Sequence, residues 1–331
     1  MNSAPPGQGT SSWCLPIDPS APFHVAGHRG LVGSAIWRHL KRHGHSALLG
    51  LPSNELDLRN RSDVFDFYAT YRPRYVILAA AKVGGIGANS TRPAEFISDN
   101  LQIQTSVLDA ARAFGVERLL FLGSSCIYPK FAEQPIHESS LLTGPLEPSN
   151  EAYAVAKIAG IVQVQSIRAQ YGSSFISAMP TNLYGPGDNF DLANSHVLPA
   201  MIRRFHEAKR DSAPSVALWG TGTPRREFLH VDDLAAACLR LLESYDDPSP
   251  VNIGTGSDLS VRELAELVAR VVGYTGELAW DHTKLDGTPR KVLDVSRIND
   301  LGWHASIPLT EGVAQTYEWF TRRVDDPSLR S

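Results

Sequence analysis

The sequence predicts an α/β protein, a doubly wound parallel sheet followed by a smaller C-terminal lobe that binds the substrate. Between Phe23 and Gly185, short unbroken apolar runs alternate with helix-length amphipathic stretches. A parallel sheet covered on both faces requires such strands. Past Gly185 the character changes: loops lengthen, Trp becomes more frequent, and strand signals shorten. The expected organisation is a flexible tail over 1–22, a nucleotide-binding domain over 23–185, and a mainly substrate-binding lobe over 186–331. Segments near 216–256 are expected to return to the first domain.

The tail, MNSAPPGQGTSSWCLPIDPSAP, is rich in Pro, Ser and Gly and lacks the basic start and apolar core of a signal peptide. Phe23–Gly27 reads as a strand, and Leu31–His43 carries apolar residues at helical spacing. Ser46–Leu51 and Arg74–Val83 are the next strands, followed by a helix over Ala94–Phe114, a strand over Arg118–Ser125 and a helix over Tyr153–Tyr171. Phe175–Gly185 is a strand with its exit loop. Further on, VALWG and VNIG are short strands, and Ser260-Val-Arg-Glu263 is a capping box opening a helix that runs to about Val272.

With 331 residues, 43% of them hydrophobic and 20% charged, the chain has ordinary globular composition. Its 31 basic and 35 acidic residues give a net charge of −4, so no basic field exists to attract nucleic acid. No apolar run reaches the roughly 20 residues that span a bilayer. Cys14, Cys126 and Cys238 are too scattered for a disulfide framework or a thiolate metal site, and no metal is expected. A cytoplasmic protein is the expectation.

Gly27-His28-Arg29-Gly30-Leu31-Val32-Gly33 falls where the first strand hands over to the first helix. Glycines there allow a tight turn and close approach of the backbone to a pyrophosphate, which the helix N-terminus then meets with free amides. This is the dinucleotide-binding pattern of a Rossmann fold. The second strand ends Leu51-Pro-Ser53-Asn54, with no carboxylate until Glu55 to bind the ribose hydroxyls. Arg29, with Ser53 as a hydroxyl donor, is instead placed for a 2′-phosphate, which favours NADP(H).

Tyr153 and Lys157 lie four residues apart, on one helical face. A lysine cation, together with a nicotinamide cation when the cofactor is oxidised, can bring the phenol pKa down from its ordinary value of about 10. Such a Tyr can give a proton to a carbonyl oxygen as hydride reaches its carbon, and Ser124, at a strand end, can donate a second hydrogen bond.

The glycine turn, the strand-end Ser and YxxxK, in this order, resemble the extended short-chain dehydrogenase/reductase superfamily acting on nucleotide sugars. The longer strings GHRGLVGSAI, FLGSSCIYPK, EPSNEAYAVAKIAG, MPTNLYGPGDNF, REFLHVDDLA and DGTPRK are similar to the GDP-L-fucose synthase family. That family epimerises carbons 3 and 5 of GDP-4-dehydro-6-deoxy-D-mannose and reduces its 4-keto group with NADPH. Inversion beside a ketone needs a base on one face and a proton donor on the other, with pKa values not far from neutrality. The resemblance implies Cys126 and His196 as this pair, with the split of roles open. It also implies cofactor contacts at Leu122, Gly123, Lys157, the Pro180-Thr181-Asn182-Leu183 segment and His196. For the sugar nucleotide it implies Arg204 on phosphate, Trp219 stacked on guanine, Arg226 on diphosphate or ribose, and Asp286 on guanine or ribose. An aspartate capping a turn is an equally physical reading of Asp286. A homodimer joined through helices near Ala94–Phe114 and Tyr153–Tyr171 is implied as well.

Alternatives share the fold. A 4,6-dehydratase needs an acidic pair after the strand-end hydroxyl, where this chain reads Ser124-Ser-Cys126-Ile-Tyr128. A plain 4-epimerase has no use for Cys126 with His196. A reductase of a related 4-keto sugar differs only in pocket shape, and a non-catalytic NADP-binding sensor would have little reason to keep Tyr153 and Lys157 together. The chain departs from the family at Leu51-Pro-Ser53, where an arginine for the 2′-phosphate is usual, so more of that task falls to Arg29.

Overall fold

The computed structural model describes residues 15–192, 194–284 and 286–326. Cys14 and the rest of 1–14 lie outside them. Strands β1 (Phe23–Ala26), β2 (Leu48–Leu49), β3 (Tyr75–Leu78), β4 (Arg118–Leu122) and β5 (Ser174–Pro180) alternate with helices α1 (Leu31–Arg42), α2 (Arg61–Tyr71), α3 (Ile86–Thr91), α4 (Pro93–Ala113) and α5 (Glu151–Tyr171). Next come β6 (Asn182–Tyr184), α6 (Val197–Arg210), β7 (Ser215–Trp219), β8 (Arg225–Arg226), β9 (Phe228–His230), α7 (Val231–Ser244) and β10 (Val251–Ile253). The chain ends with β11 (Leu259–Ser260), α8 (Val261–Val272), β12 (Glu277–Asp281), β13 (Arg290–Lys291), α9 (Ser296–Asp300) and α10 (Leu309–Thr321).

Six strands form one sheet in the order β10-β5-β4-β3-β1-β2, every pairing parallel. The central strands are buried on both faces, as their unbroken apolar runs require. One face is covered by α1 and α7, through Ile36, Leu40, Leu234, Cys238 and Leu241. The other is covered by α2, α4 and α5, through Val64, Tyr68, Val107, Leu108, Ile161 and Val164. Full burial of each such aliphatic side chain contributes about 1.5–3 kcal/mol.

A separate core, including Phe190, Ile202, Phe205, Leu218, Leu264, Val268 and Phe320, holds the second lobe together. The chain reaches this lobe after β5 and returns to the first for α7 and β10. It leaves again for α8 and β12, comes back with α9 against β10, and ends in α10 against α8. Val231–Ile253 is thus the part of 216–256 that returns, whereas β7 stays in the second lobe, paired with β12.

The tail reading needs correction over 15–22. Leu15 N–H donates to the Glu243 carbonyl at 3.1 Å, Arg118 Nη1 donates to the Leu15 carbonyl at 2.8 Å, and Ile17 and Ala21 are buried. Pro and Ser content spoke for a loose segment. Ile17 nevertheless has an apolar groove to fill, and Arg118, itself buried, needs carbonyl acceptors.

Candidate functional site

The glycine turn stands at the crevice between β1 and β3, where the strand order reverses and nucleotides bind in such sheets. Gly27 has φ +85°, and a Cβ on it would lie 2.8 Å from the Ala80 backbone, just past β3. One on Gly33 would fall 2.1 Å from the Gly27 carbonyl oxygen. Only glycine allows this closeness. Gly30 is the N-cap of α1 and supplies no side-chain cap, which leaves first-turn amides to an anion. The His28 ring lies 5.2 Å from that of Trp37, and Arg29 and Ser53 are both exposed. Leu31 and Val32 pack partly against the core under α1. Turn, cap and exposed cation fit a dinucleotide phosphate.

Beyond the crevice, β4 ends at Leu122, and Gly123 N–H donates to the Ala178 carbonyl of β5 at 2.8 Å. Ser124 then caps a single 3-10 turn, its hydroxyl accepting from Cys126 N–H at 3.2 Å. Helix α5 lies close over β4 because of Gly160, where a Cβ would be 2.4 Å from the Phe121 ring. This approach brings Tyr153 into hydrogen-bonding reach of Ser124 and lets Lys157 Nζ donate to the Leu122 carbonyl at 2.8 Å. Ser124, Cys126 and Tyr153 are only partly covered yet enclosed by protein, as on the wall of a cleft.

Lys157 by itself does not lower the Tyr153 phenol. Burial, reinforced by the Cys126 charge, pushes the Tyr153 phenol up rather than down, with Ser124 opposing it. Burial alone brings Lys157 down to about 7. Tyr153 is therefore a phenol that keeps its proton until a substrate oxygen draws on it. At Cys126, burial works against the thiolate but is outweighed by Lys291, Ser124 and Arg226, and the thiol lies below its ordinary value. Lys291 Nζ is 3.6 Å from Cys126 Sγ. His196, the N-cap of α6, keeps part of its surface open to solvent; burial of the ring and then Lys291 hold its imidazole below the ordinary value. Lys291 thus acts on both members of the expected pair.

From Cys126 the site continues through Arg226, whose guanidinium feels both Cys126 and Asp286. Asp286 behaves as a turn cap: its carboxylate accepts from Thr221 N–H at 3.0 Å and from Thr221 Oγ1 at 2.7 Å. Trp219, 66% exposed, stands between the Arg204 guanidinium and the Lys284 ammonium, each 5.8 Å from its ring centroid. Neighbouring Arg203 is engaged by Glu207 and the Phe190 carbonyl.

The Pro180–Leu183 segment is tied to the neighbouring strands: Thr181 N–H donates to the Ile253 carbonyl at 3.0 Å, and Asn182 Nδ2 to the Glu227 carbonyl at 2.8 Å. Glu227, fully buried, receives Thr255, Gly256 and Leu293 N–H groups at 2.6, 2.7 and 2.9 Å. Neither Glu227 nor Lys291 stands out in the sequence. Lys291 ends the DGTPRK string, but nothing local ties it to a cysteine 165 residues away.

Glycine turn, strand-end Ser and the Tyr–Lys pair together define a dinucleotide-dependent enzyme of the doubly wound α/β class. Comparison with known proteins agrees. The profile of the NAD dependent epimerase/dehydratase family matches residues 23–254. A probable GDP-L-fucose synthase 1 of Oryza sativa subsp. japonica is 61% identical over 93% of this chain and 94% of its own. The GDP-L-fucose synthase of Escherichia coli (strain K12) is 53% identical over 91% of this chain and 97% of its own. Among solved structures, an NADP-bound GDP-L-fucose synthetase from Naegleria fowleri superposes with TM-score 0.89 at 28% identity, covering 97% of this chain and 98% of that one. The chain belongs to the NAD dependent epimerase/dehydratase family.

Proposed function

We infer that the protein carries out the GDP-L-fucose synthase reaction, inverting carbons 3 and 5 of GDP-4-dehydro-6-deoxy-D-mannose and reducing its 4-keto group. The observation that carries this reading is Cys126, drawn toward the thiolate by Lys291 and Arg226, one turn from Ser124. A reductase alone needs no such thiol. The names of the relatives point the same way.

Ser124 and Tyr153 polarise the 4-keto oxygen, which acidifies the carbons on either side and stabilises the enolate that follows. Cys126 removes the proton as thiolate. His196 returns a proton to the carbon from the other face and regains one from solvent, while Cys126 releases its proton to solvent, so both groups are reset before the second carbon inverts. Lys157, fixed on the Leu122 carbonyl, orients the cofactor side of the site. The glycine turn, Arg29 and Ser53 would hold NADP(H), which supplies the hydride for reduction at carbon 4. Tyr153 gives its proton to the resulting alkoxide. Arg226 and Arg204 neutralise the diphosphate, Trp219 stacks on the guanine, and Asp286 sets the turn that carries Trp219.

The working form is a homodimer paired through α4 and α5, since Val155 and Val162 stay exposed on one side of α5. A reducing cytoplasm suits an enzyme that depends on a free thiol. The test is NADPH consumption with GDP-4-dehydro-6-deoxy-D-mannose, followed by NMR of the product, for wild type and Cys126→Ser. GDP-L-fucose from wild type, with inversion lost in the variant, is the expected result. An uninverted reduced sugar from wild type would make the protein a simple 4-reductase.

A further inference from the structure

We propose that Asn89, on α3, is a positioning residue for His196. The idea rests on the epimerisation role given to His196 above. His196 sits at the end of a short loop, where Asn194 and Ser195 N–H groups both donate to the Asp191 carbonyl, at 3.2 and 2.8 Å. Bonds to that one carbonyl close the loop but do not place it against the cleft. Helix α6 anchors the loop on one side, and Gly85 ties it on the other, its N–H donating to the Asn194 carbonyl at 3.1 Å. A Cβ on Gly85 would lie 2.9 Å from the Ser195 carbonyl oxygen, so the two segments touch backbone to backbone, one residue before His196.

Gly85 is held in turn by Asn89. The buried Asn89 amide donates from Nδ2 to the Gly84 carbonyl at 2.7 Å and to the Gly85 carbonyl at 3.0 Å. Reversing that amide would set its oxygen against two carbonyl oxygens, so its orientation is fixed by chemistry. Its Oδ1 is buried with no hydrogen-bond partner among the described residues, a cost that local packing gives no reason to bear. The same segment abuts the hydride side of the site: a Cβ on Gly84 would lie 3.2 Å from Phe96, whose ring packs edge-on to Tyr153 at 6.5 Å. Asn89 therefore holds Gly85, and through it the loop that carries His196, while Tyr153 is screened from it by Phe96.

The two half-reactions separate the readouts. Epimerisation is followed as solvent deuterium entering carbons 3 and 5 of the keto-sugar, and hydride transfer as GDP-L-fucose oxidation by NADP⁺. Asn89→Ala and Gly85→Ala are compared with wild type, with thermal unfolding as the folding control. A shift of the order of 1 Å in a proton-transferring group lowers its step by roughly ten- to a hundredfold. We expect deuterium entry to fall by that much in both variants, while oxidation of GDP-L-fucose changes by no more than about twofold. Should Asn89→Ala fail to fold, Gly85→Ala carries the test, because it displaces Ser195 without removing a buried amide. Unchanged deuterium entry overturns the proposal. So does an equal fall of both half-reactions, the mark of a merely structural residue. Wild type unable to exchange these hydrogens would instead overturn the epimerase reading, and the role of Asn89 with it.

Discussion

Replacing Lys291 with Met removes the ammonium 3.6 Å from Cys126 Sγ while keeping an unbranched stem in its place. At an effective dielectric of about 20, unit charges at that separation interact by roughly 4–5 kcal/mol. Arg226 still faces the thiol, and water entering beside the Met recovers part of the loss. A net effect of about 1.5–3 kcal/mol is therefore expected, a ten- to hundredfold fall in the thiolate-dependent step near neutral pH. The sign fixes the pH dependence. Lys291 favours the charged form of Cys126, so its removal moves that titration upward, and the deficit shrinks as the medium becomes alkaline. Deuterium entry into carbons 3 and 5 of the keto-sugar reads the rate, and the pH profile of alkylation by iodoacetamide reads the thiol, with Cys126→Ser as the blank. A deficit equal at every pH, or an alkylation profile that does not move, would refute the reasoning.

Lys157→Met should stop hydride transfer and yet stabilise the fold near neutral pH. Burial holds Lys157 at about 7, so folding at that pH works against its proton, and relief on the order of 2 kcal/mol or more should appear in urea unfolding. Mild acid should destabilise the protein. His24, buried against the Tyr68 hydroxyl at 3.0 Å, is lowered to about 3 by burial and then by His28. Its contribution is complete above the unfolded value of 6.5 and is lost as pH falls toward 3, roughly 2–3 kcal/mol of it by about pH 4.5. Stability that stays flat between those limits would contradict this. Trp219→Ala should raise KM for the GDP-sugar by about tenfold with kcat nearly unchanged, as loss of a stacking surface predicts; a fall in kcat alone would remove Trp219 from nucleotide binding.

What sequence patterns reveal here follows from how local the cause is. The glycine turn, the strand-end Ser124 and the Tyr153–Lys157 pair each belong to one element, so spacing alone placed them. The capping box at Ser260 and Glu263 forms as its spacing implies. Ser46–Leu51 shrinks to two paired residues because β2 is a sheet edge with only β1 to pair with. Helix α2 went unread because its apolar residues do not keep to one stripe: Phe65 and Tyr71 fall outside the buried set of Val64, Phe67 and Tyr68. Lys157 alone does not depress Tyr153, since burial acts on both groups and no spacing rule reports burial. Lys291, Glu227 and Asn89 were invisible for a shared reason: each works on segments that only the finished fold brings near.

The repeated passage of the chain between its two lobes has an evolutionary corollary. No single cut separates the two lobes, because α7, β10 and α9 complete one lobe from within the sequence of the other. A new sugar specificity cannot arrive by recombining whole modules. It must come one side chain at a time, while Glu227 ties the segments that follow β10 and β13 to each other.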